Sequence, residues 1–389
     1  MYTVILKRSE DKRILAGHPW VYANEVSKIE GKDVPGSVCR VESFDRRFIG
    51  LGFINHLSKI IVRMISYNDI QIDQKFFENR IRQANQFRID LGFKDCYRVV
   101  FSESDYLPGL IIDKFSDHLV IQLLSLCMDK RKSMIVDILK EVFSPACIVE
   151  RSDSSIRLKE GLKEIKGVLW GALNENLIIS ENNIKFKINL LDGQKTGFFL
   201  DQKINREKLM RFAKGKTILD AFCNQGGFSL CAAASGANEI TAVDIDDKAL
   251  SSLKHNALIN SISNITCIEA DVFDFLRKSK REGVKYDVII LDPPGFIKSK
   301  DKIKEGYAGY KDINILAMKL LTHGGILLTY SCSQHMTPTL FINMLKESAV
   351  HAGVTARLID YGTQAPDHAP LIALDESLYL KSAILKIDK

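Results

Sequence analysis

Several familiar devices are missing from this chain. Its eight cysteines, at positions 39, 96, 127, 147, 223, 231, 267 and 332, form no C-x-x-C pair and show no metal-ligand spacing. Eight in 389 residues is too sparse for a disulfide framework, so most read as small buried hydrophobes in a reducing cytoplasm. No apolar run approaches the roughly 18 residues of a membrane span. Charges interrupt the opening MYTVILKRSEDKRIL too early for a secretory signal. Neither a metal nor a membrane is therefore expected. There is no internal repeat and no low-complexity linker. The dinucleotide fingerprint G-x-G-x-x-G is absent as well, which weakens any reading that needs a cradled pyrophosphate.

What is present is ordinary in bulk. Hydrophobic residues make up 46% and charged residues 26%, as in a globular protein with a sizeable core. The net charge of +6 favours a polyanionic partner without specifying one. Residues 1–68 are rich in β-branched and aromatic side chains broken by turn signals, and read as a small β-rich module with a short helix. Residues 69–182 read as α+β, with LPGLIID and HLVIQLL flanking the turn-forming KFSD as a hairpin. From residue 183 to 389 strand and helix patterns alternate, which implies a Rossmann-like parallel sheet with helices on both faces.

The stretch ILDAFCNQGGFSLCAAASGANEITAVDID, from Ile218 to Asp246, carries the first functional signal. It is a βαβ pattern whose strands end in Asp220 and Asp244, with Gly226 and Gly227 in the turn between. S-adenosylmethionine has an ammonium and a carboxylate at one end, a ribose in the middle and an adenine at the other. Asp220, the paired glycines, Asp244, and Asp271 in CIEADVFDF supply suitable groups in chain order. Each acid ends an expected strand, where open α/β sheets bind ligands. On this region alone NAD also remains open, since an acid after the second strand suits its ribose.

YDVIILDPPGF ends a further strand in Asp292, Pro293 and Pro294, and the prolines stiffen a loop able to hold a planar base. HGGILLTYSCSQH then places Cys332 at the carboxyl end of another strand. Among the eight cysteines its position makes it the candidate nucleophile. A thiolate adding at C6 of a cytosine makes C5 reactive enough to take a methyl group. Asp292 would meet N3 of the base. Cys223, in the cofactor loop, reads as packing or cofactor contact.

These motifs together resemble the RlmI-like 23S rRNA methyltransferases, a family of class I S-adenosylmethionine-dependent enzymes whose best-known members make 5-methylcytosine. GQKTGFFLDQKINR, LPGLIIDKF, IVERSDSSIRLKEGL and RILAGHPWVYANEV extend the resemblance over essentially the whole chain. The last resembles the opening of that family's N-terminal PUA domain, an RNA-binding module. The resemblance implies cofactor contacts at Gln202, Asp220, Gly226, Asp244 and Asp271, with Phe222, Asn224, Gly227, Ile245, Val272 and Asp292 beside them. It implies base positioning by Asp292, Pro293, Pro294 and Phe296, and a nucleophile at Cys332. The implied partner is 23S rRNA, and a homodimer is compatible with it.

The chain departs from the family pattern in its FCNQGGF loop, in the SQH that follows Cys332, and in lacking a cysteine in DPPGF. The group that removes the C5 proton is therefore not identified. RNA contacts are expected at Arg8, Arg13, Arg46 and Arg47 of the first module and at Lys298 beyond the D-P-P loop, with Trp20 in the core. The alternatives are methylation of a nitrogen such as guanine N7, a non-catalytic RNA-binding assembly factor with a vestigial cofactor site, and an NAD-dependent oxidoreductase.

Overall fold

Alternating apolar residues over the first 66 positions close into a six-stranded sheet in the computed structural model, which describes residues 2–32, 34–193 and 195–389. Its strands run in the order Trp20–Tyr22, Ile60–Ser66, Phe48–Ile54, Val38–Glu42, Tyr2–Leu6 and Val26–Glu30. Val4, Leu6, Val21, Val41, Ile54 and Val62 pack with Ile14 of the short helix Asp11–Leu15 into one buried cluster. The helix Gln74–Asp90 follows, capped by the Asp73 carboxylate, which accepts from the Phe76 N–H at 2.9 Å. Its apolar stripe, Phe77, Ile81 and Ala84, joins the core of a five-stranded sheet. The expected hairpin is there, Leu110–Phe115 against His118–Leu123. Its loop is only Ser116 and Asp117, because Lys114 and Phe115 continue the strand and Ser116 turns the chain at φ 58°.

The first 179 residues form one compact unit together with residues 188–200 and 366–377. Arg63 shows why its two sheets hold together. Its guanidinium bonds Glu103 at 2.8 Å and Glu160 at 2.9 Å, and all three side chains are largely shielded from water. The Trp20 indole N–H donates to the same Glu103 at 2.8 Å, so one edge of this ring is tied to the network, while the residue itself is half-buried and not part of the packed core expected for it. Arg88, fully buried, bonds Asp105 and the backbone carbonyl of Asp367, while the Asp367 carboxylate accepts the backbone N–H of Arg98 at 2.8 Å.

The second unit comprises residues 180–187, 201–365 and 378–389. It is built on a seven-stranded sheet in the order Ile265–Glu269, Glu239–Asp244, Thr217–Ala221, Tyr286–Leu291, Leu321–Ser331, Lys381–Asp388, Thr355–Gly362. Successive residues alternate between its faces. Leu219, Ile289, Leu291 and Leu327 pack on one side, against helices that include Ile303–Leu320 and Pro338–Ala352. Ile218, Val288, Ile290 and Leu328 pack on the other, against Lys203–Ala213 and Gly227–Ala234. This is the expected Rossmann-like arrangement with two differences. The strand Lys381–Asp388 is antiparallel to both neighbours, since it is reached without a crossover helix. The alternation towards the C-terminus is also interrupted, because residues 366–377 belong to the first unit. From Thr217–Ala221 the chain first moves to one side of the sheet, then returns to Tyr286–Leu291 on the other. The crevice at the carboxyl ends of those two strands is a topological switch point, where such sheets bind ligands.

Candidate active site

Asp220 lies on the strand Thr217–Ala221 and is fully buried. One carboxylate oxygen accepts from the Ser229 hydroxyl at 2.6 Å, and the other has no hydrogen-bond partner among the described residues. Burial pushes this carboxyl up to about 7, with a smaller contribution from the nearby Asp244 charge. A buried acid with an orphaned oxygen is expensive unless a donor arrives from outside. An ammonium group would satisfy it.

After Ala221 the chain turns through three left-handed residues, Phe222 at φ 67°, Asn224 at φ 48° and Gly226 at φ 83°. Two bonds hold the turn against the neighbouring strand, from the N–H groups of Phe222 and Cys223 to the Val243 carbonyl at 2.9 and 3.0 Å. Gly226 is required twice over, by its φ and because a Cβ there would lie 2.0 Å from the Leu253 side chain. The helix Gly227–Ala234 starts immediately after it. Asp244 ends the adjacent strand. Its oxygens accept from the N–H groups of Asn224 at 2.8 Å and Asp246 at 3.0 Å, so it braces the loop as well as facing the crevice end. Ile245 beside it is 69% exposed, an apolar surface that a flat ring could cover. Asp271 is an exposed helix cap that accepts from the Asp274 N–H at 3.1 Å, and Val272 is buried in the core beneath it.

The D-P-P loop joins this assembly directly. The Asp292 N–H approaches the Ala221 carbonyl at 3.4 Å, and its carboxylate accepts from the Gln202 amide at 2.9 Å. Gln202 is itself fixed by Asn205 at 2.7 Å and is buried. Pro293 is buried and Pro294 exposed. Phe296 packs among Phe222, Phe273 and Tyr310, with ring centroids 6.3, 5.7 and 4.7 Å away. Cys332, half-buried at the end of Leu321–Ser331, puts its Sγ 3.9 Å from the Pro293 carbonyl oxygen. The Ser333 hydroxyl accepts from the Ile297 N–H at 3.1 Å and lies 2.9 Å from the Tyr310 hydroxyl, which pins the D-P-P loop to the thiol-bearing strand end.

Gln202, Asp220, Phe222, Asn224, Asp244, Asp292, Pro293, Phe296 and Cys332 therefore share one connected neighbourhood at the switch point. Cys223 is also present, but burial raises its thiol well above the ordinary range, which suits packing and not nucleophilic attack. Lys298 is exposed two residues past Phe296. The arginines lie in the other unit. Arg8 stacks over Phe44, and Arg46 and Arg47 are exposed but paired with Glu30 and Asp11. Arg13 is committed internally to Glu25 and the Trp20 carbonyl. Lys381 was not anticipated. It sits fully buried in the last strand, where a lysine interrupting the apolar KSAILKI pattern was the available signal.

Comparison with known proteins agrees with this geometry. Residues 164–380 match the family model described as S-adenosylmethionine-dependent methyltransferase, and residues 4–67 match a PUA-like domain. A Streptococcus mutans protein described as a SAM-dependent methyltransferase is 22% identical and shares the fold, with a TM-score of 0.85 over 99% of this chain and 100% of its own. The fold and the switch-point site thus define an S-adenosylmethionine-dependent methyltransferase. Two curated relatives, both called ribosomal RNA large subunit methyltransferase I, narrow this further. The Vibrio cholerae protein is 38% identical over 99% of both chains, and the Shewanella amazonensis protein 41% identical over 98% of both. This chain belongs to the ribosomal RNA large subunit methyltransferase I family.

Proposed function

We propose that the chain methylates C5 of a cytosine in large-subunit (23S) ribosomal RNA through a covalent adduct at Cys332. The relatives' name supports the RNA. The observation that carries the chemistry is the approach of Cys332 Sγ to the Pro293 carbonyl at 3.9 Å, which puts a thiol beside a stiff, base-holding loop. S-adenosylmethionine, when bound, supplies an electrophilic methyl group. Asp220 takes its ammonium on the orphaned oxygen, and Gly226, Gly227, Phe222 and Asn224 line its amino-acid tail. Asp244 takes the ribose on the lone pairs left after its two backbone bonds. Ile245, Asp271 and Val272 form the adenine end, and Gln202 sets the Asp292 carboxylate.

In this reading the Cys332 thiolate adds to C6, forming an S–C6 bond and pushing the C6=C5 electron pair onto C5. Asp292 meets the pyrimidine edge at N3, and Pro293, Pro294 and Phe296 hold the ring. Once C5 carries the methyl group, loss of its proton returns the electron pair, breaks the S–C6 bond and frees the thiolate. RNA phosphates meet Arg8, Arg46 and Arg47 on the first unit and Lys298 on the second, whereas the internal bonds of Arg13 give it a structural task. The reading extends to a homodimer, which sedimentation would test.

Cys332→Ala tests the chemistry. Methylation is expected to vanish while cofactor binding persists. RNA carrying 5-fluorocytosine at the target should trap the wild-type chain and not the variant, because fluorine at C5 blocks the final elimination. If Cys332→Ala methylates at close to the wild-type rate, the covalent route is wrong, and direct nitrogen methylation beside Asp292 takes its place.

A further inference from the structure

Lys381 is 1% exposed, which is unusual for a lysine. Its Nζ donates to the Ser333 carbonyl at 2.6 Å and the Tyr379 carbonyl at 2.7 Å. It pairs across the sheet with Ser331, so its ammonium is held by the residue after Cys332 and aligned with the residue before it. Among the described residues it makes no ion pair with a carboxylate. A buried ammonium facing only carbonyl dipoles is a costly arrangement, and an anion nearby would offset that cost.

The surrounding groups narrow the choice of anion. The Tyr310 hydroxyl lies 2.9 Å from the Ser333 hydroxyl, and burial pushes it up, so it stays neutral. The Tyr379 hydroxyl donates to Asp201 at 2.7 Å. Asp292 is bonded by Gln202, and Asp360, on the neighbouring strand, is paired with Lys208 at 2.6 Å. Tyr330, buried in the thiol's own strand, is also held neutral by burial. Among the described residues, the charge partner that raises the lysine's affinity for its proton is Cys332.

We propose that Lys381 is a positioning residue for methylation, its ammonium holding Cys332 as the thiolate that attacks the base. The thiol proton passes to solvent water, the ammonium keeps its own three, and the thiolate offsets the charge of the buried ammonium. Burial lowers Lys381 to about 8, so the cationic form still predominates at neutral pH. The role rests on Cys332 being the nucleophile proposed above, but the two ideas fail separately.

The test is the pH dependence of iodoacetamide alkylation at Cys332, read peptide by peptide by mass spectrometry in the full chain. An ordinary thiol titrates near about 8.5. In the wild type the Cys332 midpoint should lie clearly below that value. Lys381→Met should move it up by about one pH unit or more, slowing alkylation at pH 7 about tenfold. Methylation by Lys381→Met should fall at neutral pH and recover towards alkaline pH, with S-adenosylhomocysteine affinity unchanged. A merely structural lysine would lower the rate at every pH alike. An identical Cys332 midpoint in the two proteins overturns the proposal, whatever the activity. Should the variant not fold, a wild-type midpoint at or above about 8.5 overturns it equally. Full methylation by Cys332→Ala would instead sink the nucleophile reading and leave the alkylation result standing by itself.

Discussion

The Ser229 hydroxyl donates to the Asp220 carboxylate at 2.6 Å, and the second oxygen of Asp220 has no hydrogen-bond partner among the described residues. Half of a fully buried acid is therefore satisfied from within the fold and half is left for a ligand. A carboxylate free in an unfolded chain titrates near about 3.9, whereas here burial pushes it up to about 7.

That difference gives the first prediction its sign. The folded chain favours the neutral acid, so the associated stabilisation is complete below about pH 4 and is lost as pH rises through about 7. Asp220→Asn cannot ionise. Without cofactor, its melting temperature should exceed that of the wild type by a margin that grows from about pH 4 to 7 and then levels. The gain in stability should be roughly 1.4 kcal/mol for each pH unit crossed in that window. Its S-adenosylhomocysteine affinity should nevertheless fall about tenfold or more, since a charged acceptor is removed. Calorimetry reads both. A variant that is neither more stable at pH 8 nor weaker in binding would mean that Asp220 is ordinarily solvated.

Gly295 supplies a second prediction. A Cβ there would lie 3.3 Å from Ser333 Oγ and 3.8 Å from Cys332 Sγ. Gly295→Ala should therefore place a methyl group against the thiol without straining the backbone. Methylation is expected to fall several-fold and Cys332 alkylation to slow, with cofactor affinity unchanged. Equal alkylation rates in variant and wild type would show that the thiol is approached from another side.

The third concerns RNA. Arg46 and Arg47 are exposed, but their partners Glu30 and Asp11 must be displaced or shared before a phosphate is bound. Arg46→Gln with Arg47→Gln should flatten the slope of log affinity against log salt by about 0.7–0.9 for each phosphate no longer neutralised. Cofactor binding should not change. An unaltered slope would move the footprint away from this loop, with the lysines that follow Phe296 the next to substitute.

Much of the site was legible because its residues follow apolar runs. Asp220, Asp244 and Asp292 each close a strand pattern, and parallel strands in register bring their ends to one edge. Cys332 obeys the same rule. Lys381 did not show itself in this way, because its placement beside the thiol-bearing strand end depends on a cross-strand neighbour 50 positions earlier, Ser331. The bond from Arg98 to Asp367 is likewise invisible locally, since it spans 269 residues. The arginines of the first module read as a basic face in sequence, yet Arg13 turned inward to Glu25, 12 residues away. Charge composition says how many cations a segment has, and only the fold says which are already engaged.

The assignment of residues 366–377 to the first unit has a consequence for the chain's biosynthesis. During vectorial synthesis residues 1–179 emerge early and Arg88 has Asp105 at hand, but the Asp367 carbonyl and carboxylate follow only much later. The earlier-made unit therefore waits for residues 366–377 before its hydrogen bonding is complete. A nascent chain stalled before residue 366, or a nick in that stretch, would leave it open to proteases even though the six-stranded sheet was made first. Cutting at residue 70 is no cleaner, because it removes Arg63 and strands Glu103 and Glu160 as buried acids. Neither unit of this chain is a single continuous stretch of sequence.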